Sequence, residues 1–267
     1  MFRFCSLYSG SSGNSLFVQT NKTKLLVDSG ESGKKIISAL SDIDVNIEEI
    51  DAILVTHEHI DHVKSLGTLS KKFNIPIYTN IETLEAMPEQ KNKIKEENIN
   101  LFNISKDFQI GDLQIHPFSI PHDAANPCGF NIYNKTKKIS IATDIGHITP
   151  EIISNLEKSS FLMLESNYDP NILKCSSYPY HLKERISGPY GHLSNSAAGE
   201  TISHLLNSGL KTVMLGHLSK ENNFPELAYK TVMEEILYKN NNYYKKENSI
   251  NLSVATRFNH TPIIDVI

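Results

Sequence analysis

The chain lacks the run of about 18–20 apolar residues that a membrane-spanning helix needs, and no hydrophobic stretch in it approaches that length. Its opening residues, MFRFCSLYSGSSGNSL, carry neither an extended apolar segment nor a small-residue cleavage pattern, so no secretory signal is expected. Cysteine is scarce. Cys5, Cys128 and Cys175 are the three present, too few and too scattered for a disulfide framework or a Cys-type zinc finger. A reducing cytoplasm is the expected location, with no membrane partner. An excess of basic charge is also missing: 26 Lys and Arg face 30 Asp and Glu, a net charge of −4. That removes the global footprint of a nucleic-acid binder. It does not exclude a nuclease, because bound metal ions bring their own positive charge. Tandem repeats and interdomain linkers are absent, and the Asn/Lys-rich segment 240–248 is the one low-complexity piece, expected as a surface loop. With 39% hydrophobic and 21% charged residues, the chain is expected to fold, and residues 1–267 are expected to form a single layered domain.

Apolar patterning predicts short strands at the start, over 2–7, 16–19, 24–27 and 52–56. A helix is expected near 33–42, a second near 61–73 and a charged third over 81–98. A hairpin follows over 107–119, then strands over 129–133, 138–143, 161–165 and 212–216. Helices are predicted from 150 to 156, 196 to 208 and 225 to 238, and two strands, 251–255 and 261–266, close the chain. Residues 166–195 read as a long irregular stretch. Hairpins come first and strand–helix alternation follows, twice over. Two mixed sheets packed face to face with helices outside satisfy that order.

The histidines are the informative residues. Of the 11, three fall in Thr56-His57-Glu58-His59-Ile60-Asp61-His62, directly after an apolar strand. Side chains two apart share one face of extended backbone, so His57 and His59 can grip one ion. Asp61 and His62, at the start of the next helix, can turn toward a second. Imidazole and carboxylate ligands suit Zn, Mn or Fe. Four more candidates each end an apolar run: Asp28, His122, Asp144 and His217. Singly, each has a plainer reading as a turn, a cap or a hydrogen-bonded histidine. Their shared placement at strand ends is what singles them out.

The order Asp28, His57-x-His59-x-Asp61-His62, His122, Asp144, His217 resembles the five motifs of the metallo-β-lactamase superfamily along nearly the whole chain. The resemblance implies an α/β architecture, a four-layer αββα sandwich with two divalent metal ions at one edge. By position, His57, His59 and His122 would hold the first ion, Asp61, His62 and His217 the second, and Asp144 would bridge both. Asp28 would orient the cluster loop by hydrogen bonds. Segments 9–15, 121–124, 165–169, 191–195, 215–219 and 254–257 are similar to the YycJ/WalJ-type group, which resembles 5′→3′ DNA exonucleases. The chain has no room for the extra β-CASP domain of the larger nucleases, and no cysteine stands at a ligand position as in true β-lactamases.

The function this resemblance implies is a dinuclear-metal phosphodiesterase, a 5′→3′ DNA exonuclease with a metal-bridging hydroxide as nucleophile. Asp61 would also orient that hydroxide. His192, with Glu165 beside it, is the candidate proton donor to the leaving oxygen, as in related RNase Z-type enzymes. Ser194 and Asn195 near a helix start, and Ser12 and Asn14 in a small-residue loop, are candidates to bind substrate phosphate, although capping and turn formation account for them equally. Tyr168, Tyr178, Tyr180 and Tyr190 are open between base stacking and loop packing. Lys135, Lys137, Lys138, Lys245 and Lys246 are expected on a solvated face. Two other activities fit the same metal set: hydrolysis of a small thioester or lactone, and RNA processing. A metal-dependent scaffold without catalysis is a third reading, and the complete ligand set opposes it.

Overall fold

A computed structural model describes residues 1–239 and 250–267. The surface loop expected over 240–248, with Lys245 and Lys246, lies outside the described residues. One sheet begins with β1 (Phe2–Tyr8), β2 (Ser15–Thr20), β3 (Lys24–Val27), β4 (Ala52–Leu54), β5 (Ile77–Thr79) and β6 (Ile99–Leu101). The other is made of β7 (Phe108–Ile110), β8 (Leu113–Ser119), β9 (Cys128–Asn134), β10 (Lys137–Ala142), β11 (Phe161–Glu165), β12 (Thr212–Gly216) and β13 (Asn251–Val254). The final strand, β14 (Ile264–Asp265), returns to the first sheet beside β1. Among the described residues each sheet has seven strands, in orders β14-β1-β2-β3-β4-β5-β6 and β13-β12-β11-β10-β9-β8-β7. In both, one half is antiparallel and the other parallel: β3 to β6 run together, and so do β10 to β13.

The apolar runs are nearly unbroken because both faces of each sheet are covered. In β3, Leu25 and Val27 face the second sheet while Leu26 faces the outer helices. In β11, Phe161 and Met163 point inward and Leu162 and Leu164 outward. The inner faces meet in a core where the Phe4 and Phe161 rings lie 4.4 Å apart. Helices Gly33–Ser41 and Leu66–Phe73 cover the outside of the first sheet through Ile36, Leu40, Leu66 and Leu69. Helices Pro150–Leu156, Asn195–Leu205 and Pro225–Lys239 cover the second through Ile152, Leu156, Ile202, Val232 and Ile236. This is the four-layer α/β sandwich that was expected.

Several local expectations change. The helix expected over 61–73 is two, Ile60–Val63 and Leu66–Phe73. The segment 81–98 is broken into Ile81–Ala86, Pro88–Lys91 and a 3₁₀ turn at Glu96–Asn98, because Pro88 cannot continue the first helix and instead opens the second. The stretch 166–195 holds two helices, Pro170–Cys175 and Tyr180–Ser187. Asp169 caps the first by accepting the Asn171 and Ile172 N–H groups. Lys138 is buried rather than solvated, and its Nζ donates to the carbonyls of Asn155 and Glu157. No helix among the described residues is long and apolar enough to cross a membrane.

Candidate metal centre and its relatives

The parallel halves of the two sheets deliver their strand ends to one edge. Asp28 follows β3, the segment 56–62 follows β4, Asp144 follows β10, Glu165 ends β11 and His217 follows β12. Three of these turn sharply: Asp28, Asp144 and His217 have φ of 63°, 60° and 53°. Left-handed backbone is uncommon outside glycine and clusters where the fold holds functional groups. Here it turns each side chain back over the strand end. The 56–62 loop is laced to its neighbours by main-chain bonds, Asn14 N–H to Asp61 O at 2.8 Å and Ser29 N–H to His62 O at 2.7 Å. Gly30 allows that approach, since a Cβ there would stand 1.6 Å from the Asp61 carbonyl oxygen.

The donor atoms fall into two triads. His57 Nε2 lies 3.1 Å from His59 Nδ1, which lies 3.3 Å from His122 Nε2. Asp61 Oδ2 lies 3.6 Å from His62 Nε2 and 3.5 Å from His217 Nε2. Asp144 stands between them, Oδ2 3.3 Å from His62 Nε2 and Oδ1 3.7 Å from His122 Nε2. The other ring nitrogens are fixed from behind. His122 Nδ1 donates to Gly191 O at 3.0 Å, His62 Nδ1 to Asp28 Oδ2 at 2.8 Å, and His217 Nδ1 to Glu165 Oε1 at 2.7 Å. Asp28 also accepts from Thr56, N–H at 2.9 Å and Oγ1 at 2.8 Å.

The electrostatics call for positive charge. Burial opposes protonation of His62, but Asp144, Asp28 and Asp61 outweigh it and raise the group well above the usual histidine range. Burial likewise opposes protonation of His217, and Asp144, Asp61 and Glu165 overcome it, raising the group to about 10. Burial tends to neutralise Asp144, yet His217 and His62 hold it well below the usual carboxylate range. His57, buried among other imidazoles, is pushed well down by that burial and then by His62. Asp144 Oδ2 and His217 Nε2 are buried without any hydrogen-bond partner, which ordinarily costs about 1–3 kcal/mol per group. A carboxylate oxygen and an imidazole nitrogen left open beside two sets of convergent donors fit divalent cations.

Glu165 and His192 flank this edge. Glu165 is fully buried and accepts four hydrogen bonds. Oε1 takes those of His192 at 2.9 Å and His217 at 2.7 Å. Oε2 takes the N–H groups of Ile145 at 2.7 Å and Leu193 at 3.0 Å. Burial raises its pKa, but His192 and the hydrogen bonds prevail and bring it down to about 2. His192 is partly exposed in a cleft with Tyr168, Ser194, Glu200 and His204.

The candidate phosphate contacts divide. Ser194 caps the Asn195–Leu205 helix, its Oγ accepting the Ala197 N–H. Asn195 is corrected: it is fully buried, and its Oδ1 accepts from Ser166 Oγ at 2.6 Å and Asn223 Nδ2 at 2.8 Å, so no phosphate reaches it. Ser12 is exposed beside Arg257. Asn14 Nδ2 lies 3.0 Å from His62 Nε2, and its Oδ1 accepts the Gly10 N–H. Tyr168 is buried packing. Sequence reasoning missed Thr56, whose hydroxyl joins Asp28 to the cluster, and Ser9, whose Oγ accepts the His217 N–H at 2.8 Å. Both lie within motif segments, 56–62 and 9–15, but nothing in those segments marks their hydroxyls, and only the fold shows what they hold.

A two-sheet sandwich with His/Asp donors gathered at one edge defines a metallo-hydrolase scaffold. The family profile described as Beta-lactamase superfamily domain matches residues 23–218, and the chain belongs to that superfamily. It is 39% identical over 237 residues, 88% of each chain, to the exodeoxyribonuclease WalJ of Streptococcus pneumoniae. It is 35% identical over 231 residues to the exodeoxyribonuclease YycJ of Bacillus anthracis, covering 86% of this chain and 88% of that one. Those identities put it in the YycJ/WalJ-type group. Among solved structures, Zn(2+)-bound PqqB from Methylobacterium extorquens superposes with a TM-score of 0.71 at 14% identity, over 97% of this chain and 99% of that one. The short form of human tRNase Z superposes with a TM-score of 0.67 at 15% identity, over 99% of each. These two share the fold.

Proposed function

We propose that this protein is a dinuclear-metal exonuclease that degrades DNA from its 5′ end. One observation carries the reading: two donor triads stand on either side of Asp144, with the Glu165–His192 pair at their rim. The exodeoxyribonuclease relatives support DNA as the substrate. His57, His59 and His122 would hold one ion and Asp61, His62 and His217 the other, with Asp144 shared. When bound, the ions would supply positive charge to the phosphoryl oxygens and lower the pKa of the attacking water. Zn or Mn suits these ligands.

The chain's own groups do the rest. Asp28, Glu165 and the Gly191 carbonyl each hold the far nitrogen of a ligand histidine, so the near nitrogen faces the centre with its lone pair. Asp61, partly exposed, can also accept a hydrogen bond from the attacking water and orient it. Attack at phosphorus breaks the bond to O3′ of the departing nucleotide, and that oxygen must gain a proton. His192 is the proposed donor, because Glu165 binds its Nδ1 and the residue lines the cleft.

Single- and double-stranded DNA labelled at either end, with Mn or Zn, tests this reading against His59→Ala and His192→Ala. Mononucleotides released from the 5′ end, and lost in His59→Ala, are the expected result. No cleavage of DNA by the metal-loaded protein, with turnover of a thioester, lactone or RNA instead, would overturn it.

A further inference from the structure

Beside the metal edge, away from His192, runs a cleft of about 280 Å³ lined by Ser9, Leu218, Lys220, Phe224, Arg257 and Phe258. It adjoins the His217 turn, since Leu218 lines it and Ser9 Oγ accepts the main-chain N–H of His217. Two of its walls are unusual for a surface. Phe224 and Phe258 are 49% and 68% exposed, which leaves much of each ring's apolar surface in water. The same cleft holds a cation in a built slot. Arg257 donates to Ser11 Oγ at 3.3 Å, Ser12 Oγ at 3.4 Å and the Leu218 carbonyl. A Cβ on Gly10 would stand 2.9 Å from its Nη1, so glycine makes the room. No carboxylate pairs with Arg257 among the described residues. Glu221, the acid near enough to act on it, lies 3.8 Å from Lys220 Nζ instead.

A guanidinium held by hydroxyls and a carbonyl keeps its full charge for an outside anion. Phosphates repeat along a nucleic-acid strand, and unpaired bases present flat faces to aromatic rings. Two cations and two exposed rings lining one cleft next to the His217 turn match that polymer. Resting on the nuclease reading above, we propose that this cleft is the track for single-stranded DNA, with Arg257 and Lys220 taking backbone phosphates and Phe258 and Phe224 stacking bases.

The test is binding of a short, cleavage-resistant phosphorothioate thymidine strand to the Mn-loaded full chain, followed by fluorescence anisotropy across salt. Phe258→Ala is expected to weaken binding roughly 5- to 150-fold. Arg257→Gln is expected to reduce the salt slope by about 0.7, the share of one phosphate on a single strand, and Arg257→Lys to restore it. On an abasic strand the Phe258→Ala loss should vanish while the Arg257→Gln loss persists. Phe258 is exposed, so its replacement leaves the fold intact. A wild type that cuts DNA while Phe258→Ala and Arg257→Gln bind like it overturns the track. A wild type that grips the strand through these residues yet cuts no DNA upholds the track and sinks the nuclease reading.

Discussion

Replacing Asp28 by Asn removes one charge and one acceptor and leaves the shape. Asn tolerates the left-handed backbone at this position, so the change isolates the hydrogen bonds. In the native protein three donors converge on the carboxylate: Thr56 N–H, Thr56 Oγ1 and His62 Nδ1. An amide offers one oxygen. If that oxygen faces Thr56 Oγ1 and His62, the NH₂ meets the Thr56 N–H, and a buried main-chain donor loses its partner at a cost of about 1–3 kcal/mol. If it faces the Thr56 N–H, the NH₂ meets His62 Nδ1, which must then accept. The His62 proton moves to Nε2, into the metal site, and affinity should fall about 10- to 100-fold, or roughly 1.4–2.7 kcal/mol. Denaturant unfolding in chelator measures the first cost, and competitive titration with Zn or Mn the second. Asp28→Asn that matches wild type in both stability and metal affinity would refute the role given to this carboxylate.

Three further outcomes follow from named contacts. Phe161→Ala should destabilise the protein by about 3–5 kcal/mol, read by urea unfolding, because the ring is fully buried between the sheets. Chelation should lower the melting temperature, because an ion at a hundredfold excess over its dissociation constant adds about 2.7 kcal/mol. Asp112 clasps the sheets, its Oδ1 accepting from Thr20 and Thr23 at 2.7 Å each. Burial is the largest single influence and raises its pKa, but the hydrogen bonds from Thr20, Thr23, its own N–H and Asn134 together prevail and hold it below its ordinary 3.8. A lowered folded pKa means the contribution is complete above 3.8 and lost as pH falls through the folded value. Asp112→Asn should therefore flatten the acid limb of the stability profile below about pH 4, by under about 1 kcal/mol for so exposed a group.

Much of this architecture is written in the ends of apolar runs. The helix Pro150–Leu156 and the strands Phe161–Glu165 and Thr212–Gly216 fall where the pattern puts them, since a capping Thr149 and long buried stretches mark their limits. The strand Ile99–Leu101 was hidden, being short, partly exposed and set in a charged segment. The helix Tyr180–Ser187 buries no residue, so no periodicity betrays it. All the proposed ligands come together because each follows a strand, and the ends of β3, β4, β8, β10 and β12 share one edge. Sequence does not disclose that Glu165 serves both His192 and His217, nor that His217 takes left-handed backbone. Those depend on distances between segments far apart in the chain.

The most direct measurement is anomalous diffraction from crystals of the metal-loaded protein. Two peaks are expected, one among His57, His59 and His122 and one among Asp61, His62 and His217, both in contact with Asp144. A single peak, or peaks away from Asp144, would contradict a two-ion centre at this edge.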